Sequence, residues 1–367
     1  MRDIQKISYN QTMLLVFMGT SGNLVYIHTE IAAIAGRSGW ICTITATLLV
    51  TLLCIFMVYA GGRFRGKGIL TIVEETFGRV AGCIMSLLYL ALMTLLSATN
   101  LSLFAGMANV YILIITPKWV PILLLLAACA LIAGSGIEML ARMVIVFTIM
   151  IFANYWTASI LAAVTSFDYK LLLPQFERPF ATYVTGMYLV LGTMIENFLF
   201  IAIGIEAMPM NPRPYKAIIK GNLISSSFVV LVPAIFIGIL GLSEATRTGY
   251  VAANMFHGIQ IGRFIQGMEV FVMITYFAII AGKISINLYI MKTAVANVIG
   301  KAHNKLTTIF SAILAFVFFL LYISFNKAYL FAIQLAEYAT MPFVIFIVLI
   351  AAICLVVGKR KGLTGKT

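Results

Sequence analysis

Glu196 and Asn197 lie side by side within "MYLVLGTMIENFLFIAIGIEAM", an apolar stretch long enough to cross a membrane. A carboxylate at that depth is energetically costly, so such residues usually bind a ligand amine, carry a proton or pair with another group. The alternative is a neutral, hydrogen-bonded acid with a structural role. Gly192 and Thr193 precede the acid, and this polar interruption predicts a sixth membrane helix that unwinds at mid-depth. We expect Gly192, Thr193, Glu196 and Asn197 to contact a ligand there.

A second polar interruption lies in the first apolar stretch, "FMGTSGNLVY" at positions 17–26, and consists of Gly19, Thr20, Ser21, Gly22 and Asn23. Two closely spaced glycines are also typical of tight helix packing. The added polar residues favour a break, because unwound backbone inside a membrane is tolerated where it lines a cavity. The half-helices would then offer N–H groups to an anion and carbonyls to a cation, which suits the two ends of an amino acid.

Two further helices contribute candidate ligand-binding residues. Tyr89, Ser97 and Asn100 lie close to one face of the third helix at helical spacing, so we predict that this face lines the cavity. Lys283 lies inside the eighth helix, with Asn287 one turn later. Its ammonium either extends to the cytoplasmic headgroups or takes the place of a coupling cation between the first and eighth helices.

Composition places these residues in an integral membrane protein. Of the 367 residues, 62% are hydrophobic and only 10% are charged, far less charge than a soluble domain of this length carries. Recurring apolar runs predict ten transmembrane helices in a single membrane domain, residues 1–367. The external segment 166–186 divides it into five-helix repeats at 8–165 and 185–358.

The net charge of +13 does not indicate a nucleic-acid partner. Most Lys and Arg residues fall at alternate span ends, which places both termini in the cytoplasm by the positive-inside rule. The three histidines, His28, His257 and His303, share no metal-ligand spacing, and no nucleophile with a base or phosphate-binding loop is present. We therefore expect no enzyme activity, no metal and no cofactor.

Five spans per half make the second half enter the membrane from the opposite side. This is the condition for an inverted-topology repeat, in which the first helix of each half is discontinuous and binds substrate. The predicted fold is thus an all-α polytopic membrane protein with a 5+5 inverted repeat and broken helices 1 and 6.

Four motifs, in this order and spacing, resemble a known family: "AAIAGRSGW" (32–40), "GIEMLAR" (136–142), "LLLPQF" (171–176) and "PMNPRPYKAIIKG" (209–221). The chain is similar to the B subunits of bacterial spore germinant receptors, a branch of the amino acid–polyamine–organocation transporter superfamily. It differs at His28, where relatives usually carry proline, at Tyr250-Val251 in place of Tyr-Pro, and at "QGME" (266–269), which lacks a frequent basic residue.

The resemblance implies a leucine-transporter-type fold. It also implies a nutrient-sensing subunit in the spore inner membrane, surrounded by lipid. It would act with an A subunit and a lipoprotein C subunit, and ligand binding would start germination. An amino acid is the expected ligand. Two alternatives stay open: a proton-coupled secondary amino acid transporter, and a structural membrane subunit whose binding site has decayed.

Overall fold

The structure is a computed structural model that describes residues 6–21, 27–209, 214–247, 269–300, 305–324 and 326–364. Within these ranges the chain is almost entirely helical and contains no β-strand. The helices are α1 (Tyr9–Ser21), α2 (Ile27–Ala35), α3 (Gly39–Arg63), α4 (Ile69–Phe77), α5 (Arg79–Tyr111), α6 (Trp119–Gly134), α7 (Ile137–Ile151), α8 (Thr157–Ser166), α9 (Phe180–Gly204), α10 (Tyr215–Ala245), α11 (Glu269–Ile299), α12 (Lys305–Ser324) and α13 (Asn326–Arg360).

Eight helical segments in the described ranges are long and apolar enough to cross a membrane. The first of them joins α2 and α3, and α6 is a shorter apolar helix of 16 residues. The all-helical membrane architecture predicted from composition is confirmed. The count of ten spans stays a prediction.

Lipid exposure explains why these helices are apolar on more than one face. On α3, Cys42, Ala46 and Val50 are fully buried, whereas Leu48 and Leu52 on the opposite face are largely exposed. An apolar side chain at such a position lies in hydrocarbon when the helix crosses a bilayer, so no polar outer face is needed.

The predicted break in the first helix lies at the boundary between α1 and α2. Helix α1 ends at Ser21 and α2 begins at Ile27. The predicted interruption runs from Gly19 to Asn23. Its first three residues, Gly19, Thr20 and Ser21, are the helical end of α1, and Gly22 and Asn23 lie outside the described residues. The break in helix 1 therefore stays a prediction.

The predicted break in helix 6 is wrong, because α9 runs as one α-helix from Phe180 to Gly204. The Thr193 hydroxyl donates to the Val190 carbonyl at 2.7 Å, a bond that a regular helix allows. Glu196 and Asn197 find partners on other helices, described below. The polar side chains are thus accommodated without freeing backbone groups, and the winding is retained.

Small residues let α1 pack closely against three other helices. A Cβ added at Gly19 would lie 3.2 Å from Asn197 atoms on α9. A Cβ at Gly221 of α10 would lie 2.5 Å from the Met13 carbonyl oxygen, and one at Gly282 of α11 would lie 2.5 Å from the Met18 sulfur. These contacts place the end of α1 at the centre of the bundle.

An aromatic cluster supports the same arrangement from the side. The π-helical turn Phe152–Trp156 joins α7 to α8. The ring of Phe152 lies 5.6 Å from that of Phe17 on α1 and 5.0 Å from that of Phe228 on α10. Offset and edge-to-face aromatic pairs of this kind stabilise packing beyond simple burial.

Close packing at Gly221 predicts that Gly221→Ala destabilises the protein by about 1–3 kcal/mol, because overpacking against backbone outweighs the gain in helix propensity. The control is Gly134→Ala in α6, whose added Cβ would meet only ordinary contacts at 3.8 Å. Melting temperatures of the two purified variants in detergent test this. An unchanged melting temperature for Gly221→Ala would show that α1 does not lie against α10 as described.

Candidate functional site

Glu196 of α9 forms an ion pair with Lys283 of α11. The distance from Glu196 Oε2 to Lys283 Nζ is 2.7 Å, and the two side chains are only 4% and 2% exposed. Lys283 therefore does not extend to the headgroups; its ammonium lies inside the bundle, on a carboxylate. The acid predicted to be functional from its depth is paired across two helices.

Two asparagine amides complete the surroundings of this carboxylate. Asn100 Nδ2 on α5 donates to Glu196 Oε1 at 2.8 Å, and Asn287 Nδ2 on α11 donates to the same oxygen at 3.4 Å. Hydrogen bonds to a charged acceptor are stronger than neutral ones. The carboxylate thus joins α5, α9 and α11 at one point. We call Glu196, Lys283, Asn100 and Asn287 the charged cluster.

A second, neutral cluster adjoins the first because Asn197 follows Glu196 on α9. Asn197 Nδ2 donates to Asn222 Oδ1 on α10 at 2.8 Å, and the Thr20 hydroxyl on α1 lies 3.2 Å from the same oxygen. Asn222 Nδ2 in turn donates to the Thr51 hydroxyl on α3 at 3.1 Å. We call Asn197, Asn222, Thr20 and Thr51 the neutral cluster.

Together the two clusters connect α9 to α1, α3, α5, α10 and α11. Glu196 and Asn197 are adjacent, so their side chains leave the helix about 100° apart and reach different neighbours. Both are buried. Movement of α9 would therefore change its direct contacts with α1, α5, α10 and α11, and would reach α3 through Asn222.

Three of the other predicted residues, Ser21, Ser97 and Tyr89, contact groups outside the two clusters. The Ser21 hydroxyl donates to the Met18 carbonyl at 2.9 Å, within α1. The Ser97 hydroxyl contacts the Met291 sulfur at 3.9 Å. Tyr89 packs its ring against Phe343 at 5.4 Å. None of the three hydrogen-bonds to either cluster within the described residues, so their contact with a ligand stays a prediction.

Sequence reasoning missed Asn222 and Thr51. The available signal was a lone asparagine in the apolar stretch "AIIKGNLISSSFVVLV" of α10, since a polar amide inside a membrane helix usually seeks a partner. A threonine carries less information, because its hydroxyl can bond its own helix; Thr51 also donates to the Thr47 carbonyl at 2.7 Å.

Two other charged residues, the buried Lys292 and the half-buried Glu206, have structural partners at helix ends. Lys292 Nζ donates to the Ala133 carbonyl at the end of α6. Glu206 accepts from Gly68 N at 2.9 Å and from the Thr71 hydroxyl at 2.8 Å, at the start of α4. Such groups neutralise the orphan backbone groups of helix termini. The Glu196–Lys283 pair serves no helix terminus, so capping does not explain it.

The fold is that of a membrane transporter. The solved structure of MhsT in complex with L-phenylalanine matches with a TM-score of 0.70 and 14% identity, covering 94% of this chain and 88% of that one. Mhp1, a nucleobase-cation-symport-1 family transporter in a closed conformation with bromovinylhydantoin bound, matches with a TM-score of 0.64 and 14% identity, covering 86% and 72%. Both have the leucine-transporter-type fold, so the all-helical, leucine-transporter-type part of the predicted fold class is confirmed.

The chain belongs to the spore permease family of spore germination proteins, whose family model matches residues 6–328. This confirms the resemblance drawn from the sequence motifs. No curated protein sequence is significantly similar to the chain. The family and the structural neighbours are of the permease type, and they establish an integral membrane protein with a permease-like role.

The charged cluster predicts a specific stability pattern. Glu196→Gln leaves the Lys283 ammonium buried without its counter-charge, and we expect it to lower the free energy of unfolding by about 3–5 kcal/mol. The double variant Glu196→Gln/Lys283→Met removes both charges and should recover most of that loss. Denaturation of the purified proteins in detergent measures both quantities.

The exposed pair Glu138–Arg142, with side chains 44% and 66% exposed, supplies the control. Glu138→Gln should change stability by only about 0–1 kcal/mol. If the double variant is no more stable than Glu196→Gln, the two charges are not paired in the folded protein.

Proposed function

We propose that this protein is the nutrient-binding transmembrane subunit of a spore germinant receptor, with its ligand at the crossing of α1 and α9. One observation carries the proposal: the buried Glu196 and Asn197 make polar contacts to four other helices, α1, α5, α10 and α11, beside the end of α1. A ligand entering there would alter several helix contacts at once. The site consists of the two clusters with Gly19, Thr20 and Ser21.

The family and its structural neighbours support this reading. MhsT is solved with L-phenylalanine and Mhp1 with a hydantoin, so proteins of this fold bind small organic molecules. A small nutrient, with an amino acid first, is therefore the ligand class we propose. The partners are the A-type subunit and the C-type lipoprotein, and the location is the spore inner membrane with both termini cytoplasmic.

A second candidate is a proton-coupled secondary amino acid transporter. The observation favouring it is the same buried carboxylate, because an intramembrane acid paired across moving helices is also the usual form of a proton relay. In that case the ligand crosses the membrane, whereas a receptor subunit binds it and passes a conformational change to its partners.

Two measurements on the purified full chain separate these functions. A thermal-shift screen against amino acids, sugars and nucleosides identifies a ligand, because a molecule that binds the folded state raises its melting temperature. Uptake of the labelled ligand into proteoliposomes then distinguishes the candidates. Binding without uptake supports the receptor, uptake driven by a proton gradient supports the transporter, and absence of binding to any compound contradicts both.

The site itself is tested by Asn197→Ala. Loss of its amide from the neutral cluster should weaken ligand binding by about tenfold, the equivalent of about 1.4 kcal/mol. The matched control is Asn297→Ala, since Asn297 is also a buried asparagine, bonded to the Ser86 hydroxyl at 3.0 Å on α5. Equal affinities in the two variants would place the ligand elsewhere.

A further inference from the structure

Among the ion pairs of the described residues, Glu196–Lys283 is the one sealed from solvent. Its side chains are 4% and 2% exposed, whereas the most enclosed of the others, Arg37–Glu177, has side chains 25% and 23% exposed. A buried charge without a counter-charge is strongly unfavourable. Any molecule that separates Glu196 from Lys283 must therefore supply a new partner to each of them.

This condition restricts the chemistry of a ligand that opens the pair. An anion compensates Lys283 and leaves Glu196 unpaired, and a cation does the reverse. A neutral hydroxyl-rich molecule compensates neither charge fully. A zwitterion with its two charges a few ångströms apart supplies both partners, so the net charge of the enclosed site remains zero.

We propose that the Glu196–Lys283 pair is the recognition element for a zwitterionic α-amino acid, which inserts between the two side chains. The ligand ammonium binds the Glu196 carboxylate and the ligand carboxylate binds the Lys283 ammonium. This deepens the proposed function and rests on it, since it concerns the same site. It replaces recognition by half-helix ends in helix 6, because α9 is continuous.

The remaining groups of the charged cluster suit this exchange. Asn100 and Asn287 both donate to Oε1 of Glu196, so Oε2 faces Lys283 alone and is the oxygen that a ligand ammonium would take over. Within the described residues, Asn287 Oδ1 is a buried acceptor without a hydrogen-bond partner. An ammonium carries three N–H donors, and this amide oxygen beside the carboxylate can accept one of them.

Insertion of the ligand would also change how α9 and α11 are held together. In the closed pair, the 2.7 Å contact between Lys283 Nζ and Glu196 Oε2 joins α9 directly to α11. A ligand placed between the two side chains replaces that contact with two contacts separated by the ligand. The distance between α9 and α11 at this depth would then depend on occupancy, which gives a signal that the bundle can pass to partner subunits.

The test measures whether removal of the Glu196 or the Lys283 charge changes which charge on the ligand the protein prefers. It uses the purified full chain at about pH 6.5, where a free α-amino group is protonated. The probes are glycine, L-alanine, L-serine and L-valine, their C-terminal amides, which are cations, and their N-acetyl derivatives, which are anions. Affinities are measured by calorimetry for the wild type, Glu196→Gln, Lys283→Met and the double variant Glu196→Gln/Lys283→Met.

The wild type should prefer at least one free amino acid over both of its derivatives by about tenfold or more. Glu196→Gln leaves only Lys283 charged, so its preference should move to the N-acetyl derivative. Lys283→Met leaves only Glu196 charged, so its preference should move to the amide. The double variant should show no preference by charge. Lys292→Met, which removes a buried ammonium bound to carbonyls, is the control and should keep the wild-type order.

Each contrary outcome has a distinct meaning. If the wild type binds an amino acid and both single variants still prefer the free amino acid, the inference is overturned and the proposed function stands. If the wild type binds only sugars or nucleosides, the inference likewise fails and the nutrient site remains. If the single variants do not fold, retention of the wild-type preference by the double variant overturns the inference. If no compound binds, both proposals fall.

Discussion

The enclosed ion pair between Glu196 and Lys283 is the constraint on which the centre of this protein depends. Two opposite charges at 2.7 Å inside an apolar bundle are tolerable only together, and each fixes the position of the other. The pair sets where α9 and α11 lie relative to one another, and Asn100 extends the constraint to α5. The neutral cluster extends this network of contacts through Asn197 and Asn222 to α1, α3 and α10.

Packing of α1 makes that centre possible. Gly19 lets α1 approach α9, and Gly221 lets α10 approach α1 closely enough for Thr20 to reach Asn222. Larger residues at these positions would hold the helices apart and break the neutral cluster. Small residues at a helix crossing are the usual means by which membrane helices approach one another, and here they also bring the polar groups together.

The sequence predicted the membrane class and the burial of Glu196, because these follow from apolar run length and from the cost of a buried charge. The inverted-repeat fold was predicted from the number of apolar runs and from the family resemblance. The sequence did not predict the continuity of α9. A polar residue in the middle of a helix can hydrogen-bond to backbone groups freed by a helix break, or to side chains on other helices. Only the three-dimensional arrangement distinguishes these two outcomes. Lys283 was ambiguous for a related reason, since a long side chain can extend to the headgroups or turn inward. Helical periodicity placed Asn100 and Tyr89 near one face, but only Asn100 meets Glu196.

The most direct test of the account is an experimental structure of the full chain determined with a bound amino acid. The account predicts ligand density between Glu196 and Lys283, with the direct contact between Oε2 and Nζ lost and α9 and α11 further apart at that depth. Ligand density elsewhere, with the Glu196–Lys283 contact intact, would contradict it.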